Sequence, residues 1–80
     1  MTITITSTSR IIQLRTADGA VPARIWEGMT EDGIAVHAFI TRIVPAIPIR
    51  DHRQKQFEAE LVECAAPSAD VAAYPARLIL

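Results

Sequence analysis

The chain has few of the residues from which metal centres and disulfide scaffolds are built. It contains one cysteine, Cys64, and two histidines, His37 and His52. A single cysteine excludes a disulfide within the chain and a cysteine-rich zinc site. His37 is predicted to lie within a strand and His52 at the start of a helix, without the spacing of ligands that converge on a metal. We therefore expect both histidines to be structural, with no metal and no cofactor.

The sequence also lacks the motifs of common catalytic sites. Its three glycines form no phosphate-binding loop, and no nucleophile elbow surrounds Ser7, Thr8 or Ser9. Cys64 falls on the predicted apolar stripe of a helix, where a cysteine behaves as a small hydrophobic residue. We therefore expect a protein that is not an enzyme.

Long apolar runs are absent as well. The longest ones span a few residues, which predicts no transmembrane helix and no membrane partner. The N-terminal MTITITSTS is polar and lacks the basic region of a signal peptide. Together with the single cysteine, these features favour one 80-residue domain in a reducing cytoplasm.

Neither sign of charge is in excess. Eight basic and nine acidic residues give a net charge of −1, which predicts neither bulk attraction to nucleic acid nor a strongly acidic mimic of DNA. The one local basic cluster is interrupted by Asp51 and has no interleaved aromatic residue for base stacking. A solvated helix start is the favoured interpretation, and DNA binding through Arg50, Arg53 and Lys55 is the alternative.

The clearest pattern in the sequence is a β-hairpin. Its first arm is predicted over Ala23 to Thr30 and its second over Ile34 to Val44, with Glu31-Asp32-Gly33 as the turn. The second arm is apolar on both faces near its middle. That is typical of a central strand covered on both sides, or of a sheet face that contacts another protein.

The remaining segments predict further strands and one helix. Thr2 to Thr6 alternates Thr with Ile, and Ser7 to Ser9 extend it as a polar run. Residues 1–9 are therefore predicted to form an edge strand or a flexible arm, and Asp18-Gly19 is a hairpin signal. Asp51 is a good N-cap for a helix from His52 to Cys64 or Ala66. The buried stripe of that helix is predicted to be Phe57, Leu61 and Cys64.

A final strand is predicted over Ala76 to Leu80, tied into the sheet. The predicted fold class is therefore α+β: a small antiparallel sheet of three to five strands with one helix packed on one face. We expect one domain over residues 1–80.

The hairpin also carries the candidate partner-binding residues. Alternation places Arg24 and Trp26 on one face, and Glu27, Glu31 and Asp32 form an acidic tip. Two interpretations of Trp26 stay open: a core residue edged by an arginine, or an interface anchor, since tryptophan and arginine are common hot-spot residues. The acidic tip is either an ordinary solvated turn or a patch that engages arginines of a partner.

Two stretches resemble a known class of proteins. VPARIWEGMTEDGIAVHAFITRIV and the closing YPARLIL look like small proteins from phages and mobile elements of α-proteobacteria. Among these, the chain is similar over Val21 to Leu80 to small anti-CRISPR proteins, in particular inhibitors of type I-C systems. The resemblance carries no catalytic signature and transfers no functional residue.

The resemblance implies a non-enzymatic inhibitor in the cytoplasm of a bacterial host. Its partner would be a protein subunit of the RNA-guided surveillance complex, with no direct nucleic-acid contact, and its effect would be blocked binding of target DNA. The near-neutral charge departs from strongly acidic DNA mimics, which implies a smaller, shape-specific interface. A structural homodimer that pairs through a strand edge or the hairpin face is a further alternative.

Overall fold

Two long antiparallel strands form the centre of the sheet. The computed structural model describes residues 1–79, in which β1 spans Ile3–Thr16 and β2 spans Gly19–Thr30. The turn between them is the predicted Asp18-Gly19 turn, and Gly19 has a φ of +131° that favours glycine. The N-terminal residues from Ile3 onward therefore lie in a strand that pairs with β2, and Ile3 lies opposite Thr30.

The predicted hairpin is present with a shorter second arm. Strand β3 spans Ala35–Ile40 and pairs antiparallel with β2, from Met29 opposite Ala35 to Arg24 opposite Ile40. The arm was expected to reach Val44, but pairing ends four residues earlier. Pro45 follows that segment, and a proline lacks the N–H that a ladder needs and restricts the residue before it.

The sheet is mixed, whereas an antiparallel sheet was expected. The last strand, β4 (Arg77–Ile79), pairs parallel with β1, and the strand order is β3-β2-β1-β4. The chain runs alongside β1 twice, because Ala65 also forms a parallel bridge to Thr8 before β4 begins. The α+β class and the strand number are confirmed, and Leu80 of the predicted last strand lies outside the described residues.

Two helices are present instead of one. Helix α1 spans Arg53–Val62, within the predicted range, and the carboxylate of Asp51 accepts the backbone N–H of Arg53 at 2.8 Å. Helix α2 is a single turn, Ala69–Ala72, whose N-cap Ser68 accepts the backbone N–H of Val71. The predicted buried stripe is wrong, since no residue of α1 is buried and the helix ends before Cys64. Phe57, Leu61 and Cys64 are each half-buried.

The core lies on one side of the sheet. Strand alternation brings Ile12, Leu14, Ala23 and Ile25 to one face, where they pack around Val71 of α2. Phe39, Tyr74 and Leu78 border this cluster. We call this side the covered face, because the α2 region packs on it. The opposite side, with Ile11, Arg24, Trp26 and Ile40, is called the open face.

Candidate functional site

A cavity of about 330 Å³ lies on the open face. Its floor comes from β1, β2 and β3, and the end of α1 contributes Leu61 to the wall. The segment after β3 supplies the remaining side. The apolar lining is Ile11, Trp26, Ile40, Ile43 and Leu61.

Trp26 lies at one side of the cavity, between large and small neighbours. The residues directly opposite Trp26 are Ser7 in β1 and Ala38 in β3, and both are small. Two positions along β2, away from the cavity, lies Gly28, which has no side chain. The larger neighbours, Arg24 and Ile40, line the cavity with the indole, and Trp26 stays half-buried. Trp26 is thus part of a partly open surface, intermediate between the two sequence interpretations.

Arg24 lies beside Trp26 and connects the sheet to α1. Its Nη1 donates to the carbonyl oxygen of Leu61 and to Cys64 Sγ, which is 2.9 Å away. Within residues 1–79, every ion pair closer than 4.0 Å involves Asp51, so Arg24 has no carboxylate partner there. Arg42, which also lines the cavity, is exposed and equally lacks one. The cavity is therefore apolar with two arginines at its border.

Glu27 lies away from these residues. Its side chain projects on the covered side, where one carboxylate oxygen accepts the backbone N–H of Ser68 at 3.0 Å and the other accepts the Ser68 hydroxyl. The Ser68 hydroxyl, its backbone N–H and the charge of His37 hold the pKa of Glu27 below its ordinary value. The five candidate residues therefore do not form one surface: Glu27 fastens the start of α2 to β2.

The other two acidic candidates are at the end of the hairpin. Glu31 and Asp32 are exposed in the β2–β3 turn, and Gly33 closes it with a φ of +84°. Thr30 Oγ1 accepts the backbone N–H of Ile34 at 3.1 Å, which fixes the turn. Trp26 is five residues from Glu31, which is roughly 17 Å along an extended strand. The tip and the cavity are thus separate parts of the hairpin.

Sequence reasoning missed a polar pair on the covered face. The hydroxyl of Tyr74 lies 2.7 Å from His37 Nδ1, and the two rings meet edge to face. Tyr74 also packs edge to face on Phe39. The only sequence feature that drew attention to Tyr74 was the Tyr-Pro dipeptide after α2. His37 Nδ1 is engaged with Tyr74 and the Ser68 hydroxyl with Glu27, so the described residues contain no serine–histidine hydrogen bond of the kind that activates a nucleophile.

The basic cluster at the start of α1 is partly neutralised. Arg53 donates to both carboxylate oxygens of Asp51, from Nε at 3.0 Å and from Nη2 at 2.8 Å. This pairing raises the pKa of Arg53 and lowers the pKa of Asp51. His52 is exposed, with Nδ1 3.8 Å from the same carboxylate. Arg50 and Lys55 are left as the exposed cations of the cluster.

The described part of the chain contains neither a metal-binding cluster nor a membrane-spanning helix. Residues 1–79 hold no group of three or more histidine, cysteine, aspartate or glutamate side chains placed to bind a metal ion. No helix in that range has the length and apolar character needed to cross a membrane. No protein-family model, curated protein or solved structure matches the chain. What the chain binds must therefore be inferred from its own surfaces.

Proposed function

We propose that this chain is a non-enzymatic inhibitor that binds a protein partner through its open face. The observation that carries the proposal is the half-buried Trp26 in an apolar cavity on a sheet face that is only partly covered, by the end of α1 and the segment after β3. Protein interfaces concentrate their binding energy in a few aromatic and arginine side chains near the centre of a partly open surface. Trp26 and Arg24 have that composition and that placement.

The acidic tip gives this surface a charged edge. Glu31 and Asp32 are solvent-exposed at the end of the hairpin. Exposed charges at the border of an interface mainly set the association rate and its salt dependence, whereas a buried anchor sets the dissociation rate. In this proposal the tip attracts basic residues of the partner, and Trp26 retains the complex once it has formed.

The resemblance to small anti-CRISPR proteins names the partner to test. A surveillance complex holds the phosphates of target DNA with basic residues, and a bound inhibitor with an acidic tip would occupy them. The proposed effect is therefore occlusion of a DNA-contacting surface of a type I-C complex, in the cytoplasm of a bacterial host. Direct DNA binding through Arg50 and Lys55 has less support, because Arg53 of the same cluster is paired with Asp51.

Self-association is the second candidate function. The outer edge of β3 has no paired strand within residues 1–79. None of its six residues is charged when His37 is neutral. An unpaired apolar edge of this kind can pair with a second copy. Mass measured by light scattering over a hundredfold range of concentration would separate a dimer module from a monomeric inhibitor.

The test of the inhibitor proposal is an order-of-addition gel shift with a purified type I-C surveillance complex. We expect the shifted DNA band to be lost only when the protein is added before the DNA, with the protein co-eluting with the complex on a sizing column. An unchanged band together with no co-elution would overturn the proposal.

Variants then locate the interface. Trp26→Ala is expected to raise the dissociation rate at least about tenfold, as loss of a hot-spot side chain does, while the exposed Val62→Ala on α1 has no effect. Glu31→Lys with Asp32→Lys is expected to slow association, and Glu58→Lys with Glu60→Lys, two exposed residues of α1, is the matched change of charge. Circular dichroism of each variant checks that the fold is retained.

A further inference from the structure

We propose that the cavity of the open face binds a small monocarboxylate with an apolar body, such as a medium-chain fatty acid or an aromatic acid. The cavity volume of about 330 Å³ is at the small end of the range for ligand sites. Its walls are the branched side chains and the indole named above, which suit an alkyl chain or a ring. This inference does not depend on the proposed function, because it concerns the isolated chain.

The unpaired Arg24 provides the first argument for an anion. A charge that is partly removed from water is costly unless it is paired. Arg24 is half-buried, and within the described residues its hydrogen bonds run from Nη1 to a carbonyl oxygen and a sulfur, neither of them an anionic oxygen. A guanidinium has five N–H donors in a planar fork that matches a carboxylate. Donors on Nε and Nη2 therefore remain for a ligand.

The composition of the whole lining provides the second argument. Arg42 adds another cation at the border, and no lining residue is an aspartate or a glutamate. The nearest candidate acid along β2, Glu27, is on the covered side and engaged with Ser68. The electrostatic field in the cavity therefore favours a negative group, while the apolar walls favour a ligand with only one such group over a polyanion.

Trp26 makes the proposal measurable, because it is the only tryptophan in the chain and lines the cavity. The experiment titrates the purified protein with octanoate, octylammonium and octanol at constant ionic strength, below the concentrations at which they form micelles. Tryptophan emission is the readout. We expect octanoate to give a saturable change and to bind at least about tenfold more tightly than octylammonium, since charge-assisted hydrogen bonds to arginine separate the two.

Two charge reversals, one at the cavity border and one outside the cavity, test whether the charge of Arg42 contributes to binding. Arg42→Glu changes an exposed side chain of the cavity border while Arg24 is retained, and we expect the preference for octanoate over octylammonium to shrink. Arg50→Glu makes the same change at an exposed residue outside the cavity, and we expect the original order to remain. Far-UV circular dichroism establishes that both variants are folded.

Three results would overturn the inference. One is the absence of a saturable emission change with octanoate. Another is equal affinity for octanoate and octylammonium, which would indicate apolar contact alone. The last is a preference for octanoate that is undiminished in folded Arg42→Glu. Because no partner protein is present, each of these results is separate from failure of the proposed inhibitor function.

Discussion

Ile11 and Ile12 are neighbours in β1, but their side chains lie in very different surroundings. The side chain of Ile12 is 1% exposed on the covered face, and the side chain of Ile11 is 51% exposed on the open face. Both faces are built from the same strands. The difference lies in what packs on them. The covered face meets Val71, Tyr74 and Leu78 from the last third of the chain, and the open face meets the end of α1 and the short segment after β3.

The polar groups of the two faces differ in the same way. On the covered face, the carboxylate of Glu27 and the hydroxyl of Tyr74 each have a side-chain partner in another element. On the open face, Arg24 and Arg42 lack an anionic partner within residues 1–79. Satisfied polar groups stabilise a fold, whereas unpaired ones mark a surface that can bind. The comparison therefore supports a stabilising role for the covered face and the proposed binding role of the open face. Arg10 is the exception, since it donates to the carbonyl oxygen of Tyr74 while its buried Nε has no partner among the described residues.

The isoleucine pair gives the largest expected contrast in stability. Ile12→Ala removes buried methyl groups and is expected to lower the free energy of unfolding by about 2–5 kcal/mol, whereas Ile11→Ala should cost less than about 1 kcal/mol. Urea unfolding followed by circular dichroism measures both. Should Ile12→Ala fail to fold, Ile12→Val is the smaller step, at about 0.5–1.5 kcal/mol. Equal losses at the two positions would contradict the division into two faces.

Gly28 is the one position of the open face where we expect any added side chain to destabilise the fold. Strand β1 approaches it closely, and an added Cβ would lie 2.7 Å from Ile5 Cα and against the carbonyl oxygen of Thr4. Because both are backbone atoms, Gly28→Ala must displace a strand, and we expect a loss of about 1–3 kcal/mol. Ser7→Ala, on the same face, is the control and should change stability by less than about 0.5 kcal/mol. Thermal unfolding of the two variants checks this, and equal melting temperatures would show that β1 moves freely.

Local chemistry made part of this fold predictable. The two hairpin turns follow from Asp18-Gly19 and from Glu31-Asp32-Gly33, because glycine is needed where φ is positive. Helix α1 lies within the predicted range, and its N-cap is His52, one residue after the predicted Asp51. The carboxylate of Asp51 still accepts the backbone N–H of Arg53, the first residue of the helix. These features depend on neighbours in sequence, which a single sequence displays.

The parallel β4 and the single-turn α2 depend on distant parts of the chain. The final strand itself was predicted, but its parallel direction depends on β1, which is distant in sequence and offers the edge on which β4 pairs. The same limit explains the wrong assignment of the core. Phe57, Leu61 and Cys64 have helical spacing, but the residue that reaches the core is Val71, in a helix too short to show a stripe.

The candidate site was predictable where period-two alternation decides it. Alternation alone placed Arg24 and Trp26 together, and the structure has this arrangement. Glu27 was expected in the acidic tip, and its contact with Ser68 could not be foreseen, because Ser68 is 41 residues away. The cavity beside Trp26 was also out of reach, since its other walls come from β1, from the segment after β3 and from Leu61 of α1.

The hydrogen bond between Tyr74 and His37 is expected to give a smaller effect on the covered face. Tyr74→Phe keeps the ring packing on Phe39 and removes only the hydroxyl. We expect it to lower the free energy of unfolding by about 0.5–1.5 kcal/mol. In a His37→Gln background, where the ring partner is gone, the same substitution should cost less. Urea unfolding of the four proteins forms a double-mutant cycle, and additive losses would show that the 2.7 Å contact adds no coupling.

The smallest predicted effect is a pH dependence from Glu27. Its pKa is lowered in the folded protein by the Ser68 hydroxyl and backbone N–H, so the contact stabilises the fold fully above the ordinary value of about 4.5 and loses this effect as pH falls through the lowered value. The difference in stability between the native chain and Glu27→Gln should therefore be constant from about pH 7 to about pH 5 and shrink below that range. Glu31→Gln removes the same charge from the tip and is the control, so only the part of the pH dependence that Glu27→Gln abolishes is assigned to Glu27. If the difference grew as pH fell, the charged form of Glu27 would be less favoured in the folded state than in the unfolded one. That result would contradict a stabilising contact between Glu27 of β2 and Ser68 at the start of α2.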